Sequence, residues 1–317
     1  MSVTARQSGP PAVAVAKPRM SRAQRREALW GYIFLSPWIV GFILWFGGPM
    51  LASLGLSLTN YDILSPPEFV GLQNYIQAFT EDDLFYSSLG RTFYYALVVV
   101  PLGVTGSLLL AVLLNRNIPG KNLFRTFYFL PHVAPMVATI LLWRWILQPE
   151  IGLVNYALEK IGIQGPRWLG STEWAIPSLM IMALWGSVGG NRMMIFLAGL
   201  QGVPAELYEA ADIDGANAWH KFRNVTVPLI TPTIFFNLVL GVIGALKVFA
   251  SAFIATDGGP AYATWFYALH IYTQAFKYFY MGYASALSWI FFIIMFIFTY
   301  VQFRSSARWV YYAGEAK

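Results

Sequence analysis

The sequence contains no cysteine, and only 11% of its 317 residues are Asp, Glu, Lys or Arg, where an ordinary soluble domain carries about 25%. The first absence excludes disulfides, thiolate metal sites and a cysteine nucleophile. The second leaves too little polar surface to coat a water-soluble fold of this size, because 57% of the residues are hydrophobic and 17% aromatic. Glycine (27) and proline (18) are not scarce, but both are tolerated in membrane helices, whose neighbours re-satisfy the freed backbone groups. Low charge therefore reads as lipid exposure. The net charge of +6 does not mark a nucleic-acid partner, since the basic residues gather at the ends of apolar runs and form no continuous face.

What is present is a series of long apolar runs. Six stretches, at approximately 30–54, 93–114, 127–147, 174–200, 233–255 and 283–301, are long enough to cross a hydrocarbon core that needs about 20 residues. They predict an all-α integral membrane fold with six transmembrane helices. The first 28 residues carry Arg6, Lys17, Arg19, Arg22, Arg25 and Arg26 against Glu27 alone, which places the N-terminus in the cytoplasm. Alternation then puts Asp62, Glu68, Glu81, Asp82 and Asp83 outside, and Arg116, Lys121 and Arg125 inside. Arg304 and Arg308 bring the C-terminus back to the cytoplasm. The expected organisation is a disordered cytoplasmic arm over 1–28, a membrane domain over 29–305 and a cytoplasmic tail over 306–317. The first run lies too far from the N-terminus, and lacks the cleavage site, for a signal peptide. No repeat and no loop long enough for a further domain is apparent.

Between the fourth and fifth runs lies a polar loop, QGVPAELYEAADIDGANAWHKFRNVTVPLITP. Pro204 suits the first turn of a helix, Glu206 and Glu209 favour the positive end of its dipole, and Gly215 is a plausible stop. Leu207, Ala210, Ala211 and Asp214 recur at helical spacing and give one small face flanked by charge. Such a helix either docks in a partner's groove or lies as a capped interfacial segment between two spans.

At these residues the sequence resembles a known pattern. Glu209, Ala210 and Ala211, then Gly215, then Val225, Val227 and Pro228 look like the EAA motif of permease subunits in binding-protein-dependent ABC importers, departing from it by Val for Ile and Val for Leu. Both exchanges keep the apolar type. The segments LSPWIVGFILWFGGPMLASLGLSL, FVGLQNY, LAGLQGVPAELYEAADIDGA, KVFASAFIATDGGP and GYASALS resemble the MalF-type sugar permeases, and the likeness covers nearly all of 27–305. The resemblance implies a cytoplasmic coupling helix between the fourth and fifth spans. In it Glu209 pairs with a basic side chain of an ATPase, Ala210 and Ala211 allow close approach, Asp214 flanks the face and Gly215 turns the chain. It further implies a second homologous permease, an ABC ATPase dimer, an extracytoplasmic substrate-binding protein, a bacterial inner or plasma membrane, and no cofactor.

Motifs that are missing fit this expectation. Gly120-Lys121 is followed by Asn122, and Asn115 stands where a phosphate-binding loop needs its first glycine. ATP hydrolysis is thus expected on another chain. His132, His220 and His270 show no metal-ligand spacing. Intramembrane acids, which an ion-coupled transporter would use, and clustered catalytic groups, which an intramembrane enzyme would need, are absent from the six runs.

Ionisable and polar residues inside spans are candidates for the substrate path. Lys247 falls inside the fifth run and either lines the path or pairs with a carboxylate of a partner helix. Asn191 and Arg192 follow Gly189 and Gly190 in a run interrupted by Gly186, where a broken helix offers either a transport site or close packing. Trp185 and Asn237 offer an aromatic face and an amide to a sugar, or serve packing. Arg144 between Trp143 and Trp145 reads as a snorkelling side chain.

Overall fold

The computed structural model describes residues 21–311. The chain divides after Ser53 into two units. The first is made by helix α1 (Arg22–Leu56), whose last residues belong to the second unit. A capping box starts it: Ser21 Oγ accepts from the Gln24 N–H at 3.2 Å, and Gln24 Oε1 accepts from the Ser21 N–H at 2.8 Å. From Arg22 to Gly47 none of its side chains is buried, and Trp38, Phe42 and Phe46 stack in a ladder at 5.6 and 6.1 Å. A helix apolar all round is stable only against other apolar matter, here lipid or protein.

The second unit begins with a small antiparallel pair, β1 (Thr59–Asn60) and β2 (Glu68–Phe69). Helix α2 (Gln73–Thr80) is tied to it by Asn74, whose amide donates to the carbonyls of Ser57 and Thr59, both at 2.9 Å. The long α3 (Asp83–Asn115) follows, N-capped by Asp82 accepting from the Leu84 N–H at 2.9 Å. Then come α4 (Lys121–Val133), α5 (Met136–Ile146), α6 (Leu153–Lys160), α7 (Ala175–Gly189) and α8 (Asn191–Gln201). The chain continues through α9 (Ala205–Ile213), α10 (Ala218–Leu229), α11 (Thr231–Leu246), α12 (Ala250–Ala255), α13 (Tyr267–Tyr272) and α14 (Met281–Ser306). α3 is the organising helix, packed by α7, α8, α11 and α13. Small residues make this possible, as at Gly106, where a Cβ would stand 3.1 Å from Val188.

Among the described residues, four helices are long and apolar enough to cross a membrane, and two bent pairs raise the number to six if each pair is one span. A bend corrects the expected third run and a helix end the fifth. The run 127–147 starts inside α4 and crosses a 97° bend between α4 and α5. Its cause is Pro135, which forces Ala134 into extended backbone (ψ 140°) and opens α5. The fifth run is likewise two pieces. It begins inside α11, just after a 68° bend from α10 that Pro232 follows in the first turn, and it breaks where α11 ends at Leu246, with α12 over Ala250–Ala255 as the second piece. In the fourth run α7 passes through Gly186 unbroken, and the interruption falls at Gly190, whose ψ of −142° ends one helix and begins the next.

The expected arm over 1–28 overlaps α1 from Arg22 to Ala28, and its remainder over 1–20 lies outside the described residues. The tail is anchored as far as Tyr311: the Tyr311 N–H donates to Thr231 Oγ1 at 2.9 Å, and Trp309 packs edge-on to Phe235. Residues 312–317 lie outside the described residues.

Candidate functional site

Two places gather the candidate residues: a short exposed helix and a cavity among the long ones.

The exposed helix is α9, with Pro204 as its N-cap. It ends in a Schellman motif. Gly215, at φ +73°, lets its own N–H reach the Asp212 carbonyl at 3.1 Å and the Ala216 N–H reach the Ala211 carbonyl at 2.9 Å. The left-handed backbone there is what makes glycine the fitting residue. Two contacts hold α9 against the following segment. Tyr208 Oη and Thr226 Oγ1 hydrogen-bond at 2.9 Å, and Lys221 Nζ pairs with Asp212 at 2.6 Å.

These ties set which side faces out. Tyr208 and Ala211 are half-buried, while Glu206, Leu207, Glu209, Ala210, Ile213, Asp214 and Gly215 are exposed, Ile213 at 88%. Ala211 is thus partly covered while Ala210 is exposed, and Ile213 joins the outward surface. The side chains of Glu206, Glu209 and Asp214 make no hydrogen bond or ion pair with another described residue. The arrangement is an acidic, small-featured knob with two exposed aliphatic side chains, Leu207 and Ile213.

The cavity has a volume of about 770 Å³ and is walled by the end of α4 and by α5, α7, α8 and α11. That is the size of a small-molecule site. Asn191, Arg192, Asn237 and Lys247, chosen from the sequence as separate candidates, all line it. Asn237 is buried, and its amide donates back to the Thr233 carbonyl at 3.0 Å. Lys247 corrects the expectation of a mid-span position: it is the C-cap of α11, where a cation suits the negative end of the helix dipole. Trp185 is not in the wall. It is 60% exposed and meets Trp143 edge-on at 6.0 Å, and Trp143 lines the cavity together with the rings of Tyr95 and Phe249. Arg144 reaches the Ile254 carbonyl at 3.3 Å.

Sequence reasoning passed over His132, which lines the cavity because Gly190 leaves room for its ring: a Cβ there would lie 2.8 Å from it. It also missed a polar cluster at the start of α3. His270 Nε2 lies 2.7 Å from Asp82, and the Tyr283 hydroxyl donates to the same carboxylate at 2.5 Å. Burial opposes ionisation of Asp82, but the hydrogen bonds from His270 and Tyr283 outweigh it and hold the carboxyl below its ordinary range. These partners come from segments far apart in sequence, so no local motif signalled them.

A family model described as the inner membrane component of binding-protein-dependent transport systems matches residues 103–310. The chain is 40% identical over 301 residues to the probable ABC transporter permease protein YesP of Bacillus subtilis (strain 168), covering 94% of this chain and 96% of that protein. It is 31% identical over 289 residues to the trehalose/maltose transport system permease protein MalF of Thermococcus litoralis, covering 90% of this chain and 96% of that one. In three dimensions it resembles a chain in the crystal structure of a bacterial alginate ABC transporter in complex with alginate pentasaccharide-bound periplasmic protein. The TM-score is 0.80 at 23% identity, covering 90% of this chain and 96% of that chain, a likeness of fold.

Proposed function

This chain belongs to the inner membrane components of binding-protein-dependent transport systems, and on that premise we propose that it imports a sugar, sugar derivative or polyol delivered by a soluble binding protein. The chain is a multi-pass permease subunit of an ABC transporter. In our reading it crosses the bilayer six times, each bent helix pair serving as one span, with both termini and α9 in the cytoplasm. Residues 29–305 form the membrane domain.

The observation that carries the reading is the outward surface of α9. Three unpaired carboxylates beside an exposed Ile213 on a helix fixed by Tyr208 and Lys221 form a surface that fits a basic-rimmed groove. The groove belongs to an ATPase subunit on a separate chain, present as a dimer, with a second homologous permease facing this one. Glu209 meets the basic partner, Ala210 permits close approach, Asp214 extends the acidic rim and Gly215 turns the backbone away. Ala211 supports the knob from behind.

In this mechanism ATP binding closes the ATPase pair and α9 moves as a rigid body. The helices it is tied to shift from an inward-open to an outward-open arrangement. ATP and the docked binding protein both favour the second state, so transport is a shift of population between the two. Asn191, Arg192, Asn237 and Lys247 line the path, and Trp143 takes the aromatic place first assigned to Trp185. The chain supplies no chemistry and needs no cofactor for this work. Uptake in inverted or right-side-out vesicles tests the reading: a requirement for ATP and the binding protein supports it, and uptake driven by an ion gradient alone contradicts it.

A further inference from the structure

The cavity wall is cationic without being neutralised. Arg192 and Lys247 line it beside the His132 ring, and among the described residues no Asp or Glu contributes to it. Neither Arg192 nor Lys247 makes a side-chain hydrogen bond or ion pair with another described residue. Arg192 Nη1 is buried with no partner, as is the neighbouring Ser187 hydroxyl. A guanidinium nitrogen buried between apolar helices and left unpaired is destabilising unless something in the working protein neutralises the group.

Its position is built into the helices around it. The head lies between Gly103 on α3 and Gly241 on α11: a Cβ at Gly103 would collide with Nη1, and one at Gly241 would stand 3.2 Å from Nη2. The gap between two long helices is thus cleared for this one planar cation. Arginine's planar fork matches the two oxygens of a carboxylate or phosphate, which a point charge does not.

Building on the importer reading, we propose that the transported ligand carries an oxyanion, a carboxylate or phosphate on its sugar or polyol skeleton, and that Arg192 is the residue that recognises it inside the membrane. Lys247 adds a second positive charge on the same wall, and the amides of Asn191 and Asn237 and the ring of Trp143 serve the uncharged remainder.

The test is ATP-driven uptake by the whole complex in proteoliposomes, using probe pairs in which one member carries an oxyanion and the other does not. A glucuronate-terminated disaccharide is paired with its methyl ester, and trehalose 6-phosphate with trehalose. The wild type is expected to prefer the acid in at least one pair. Arg192→Gln should lower the acid-to-neutral rate ratio about tenfold or more, Arg192→Lys less, and Gly103→Ala, which keeps the charge but displaces the head, to an intermediate extent. Preference for the neutral member of both pairs, failure to take up either acid, or an unchanged ratio in Arg192→Gln overturns the inference. An unchanged ratio with an equal loss for both members would place Arg192 in a structural ion pair with the second permease. Uptake that needs neither ATP nor the binding protein would contradict the importer reading itself, by a separate readout.

Discussion

His270 and Asp82, 188 positions apart in the chain, are joined by a 2.7 Å hydrogen bond that ties α13 to the first turn of α3. The direction of the bond follows from the other ring nitrogen. Trp265 Nε1–H, which can only donate, reaches His270 Nδ1 at 3.1 Å, so Nδ1 accepts and Nε2–H donates to the carboxylate. Tyr283 on α14 adds a second donor to Asp82. Three helices thus meet on one carboxylate that also caps α3.

Replacing that carboxylate strands two donors and removes a cap. Asp82→Ala should destabilise the solubilised protein by about 2–4 kcal/mol, combining the loss of a charged hydrogen-bond acceptor with the loss of an N-cap. Asp82→Asn, which keeps an acceptor and a good cap, should lose less than half of that. Thermal unfolding in detergent checks both; equal melting temperatures for wild type and Asp82→Ala would remove Asp82 from the structural account.

The same residue gives a pH dependence of known sign. Its folded value lies below the ordinary carboxylate value of 3.8, so its contribution is fully present above that value. It is lost as the pH falls through the lower, folded value. Melting temperature measured downward from pH 6 should therefore fall more steeply below about pH 4 in the wild type than in Asp82→Asn. Parallel curves would contradict the assignment.

Topology is testable in a chain that has no native cysteine. Leu64, 91% exposed in the segment between β1 and β2, should be labelled as Leu64→Cys by an impermeant reagent on intact cells. Asn74, further along the segment proposed to lie outside, is a poor position for such a probe, because its amide holds two backbone carbonyls and it is buried. Labelling of Leu64→Cys only after the cells are opened would reverse the proposed orientation.

Much of this molecule was legible in its sequence, and the rest was hidden for identifiable reasons. The long apolar runs and the arrangement Glu209, Ala210, Ala211, Gly215 rest on local rules of hydropathy, capping and left-handed backbone, so α9 and its stop at Gly215 appear where expected. The bend at Pro135 and the break after Leu246 were missed because the hydropathy of a run is blind to its direction, although Pro135 was in plain view. Trp185 and Trp143 could not be told apart without knowing which helix face lines the cavity. The seat of Arg192 depends on Gly103 and Gly241 on two other helices, and the Asp82 cluster on segments up to 201 positions away. Neither leaves a local signal.

Gly215 should prove a structural stop as well as a docking feature. Gly215→Ala places a Cβ at φ +73° and should weaken the end of α9 by about 1–2 kcal/mol. Open space surrounds that Cβ, so the protein should still accumulate in the membrane. Limited proteolysis of the loop between α8 and α11 is expected to be faster than in the wild type, and an unchanged cleavage rate would show that the Schellman geometry contributes little.

In the proposed mechanism α9 transmits ATP-driven motion to the membrane helices, and ATP hydrolysis by the reconstituted complex reports whether it does. With loaded binding protein, wild type should show stimulated hydrolysis and uptake together. Glu209→Lys, which sets a positive charge against the basic partner, should assemble less well and lose about tenfold or more of the stimulated uptake, while the permease itself still inserts. Normal assembly, normal stimulation and normal uptake in Glu209→Lys would contradict the account and leave α9 an interfacial helix between two spans.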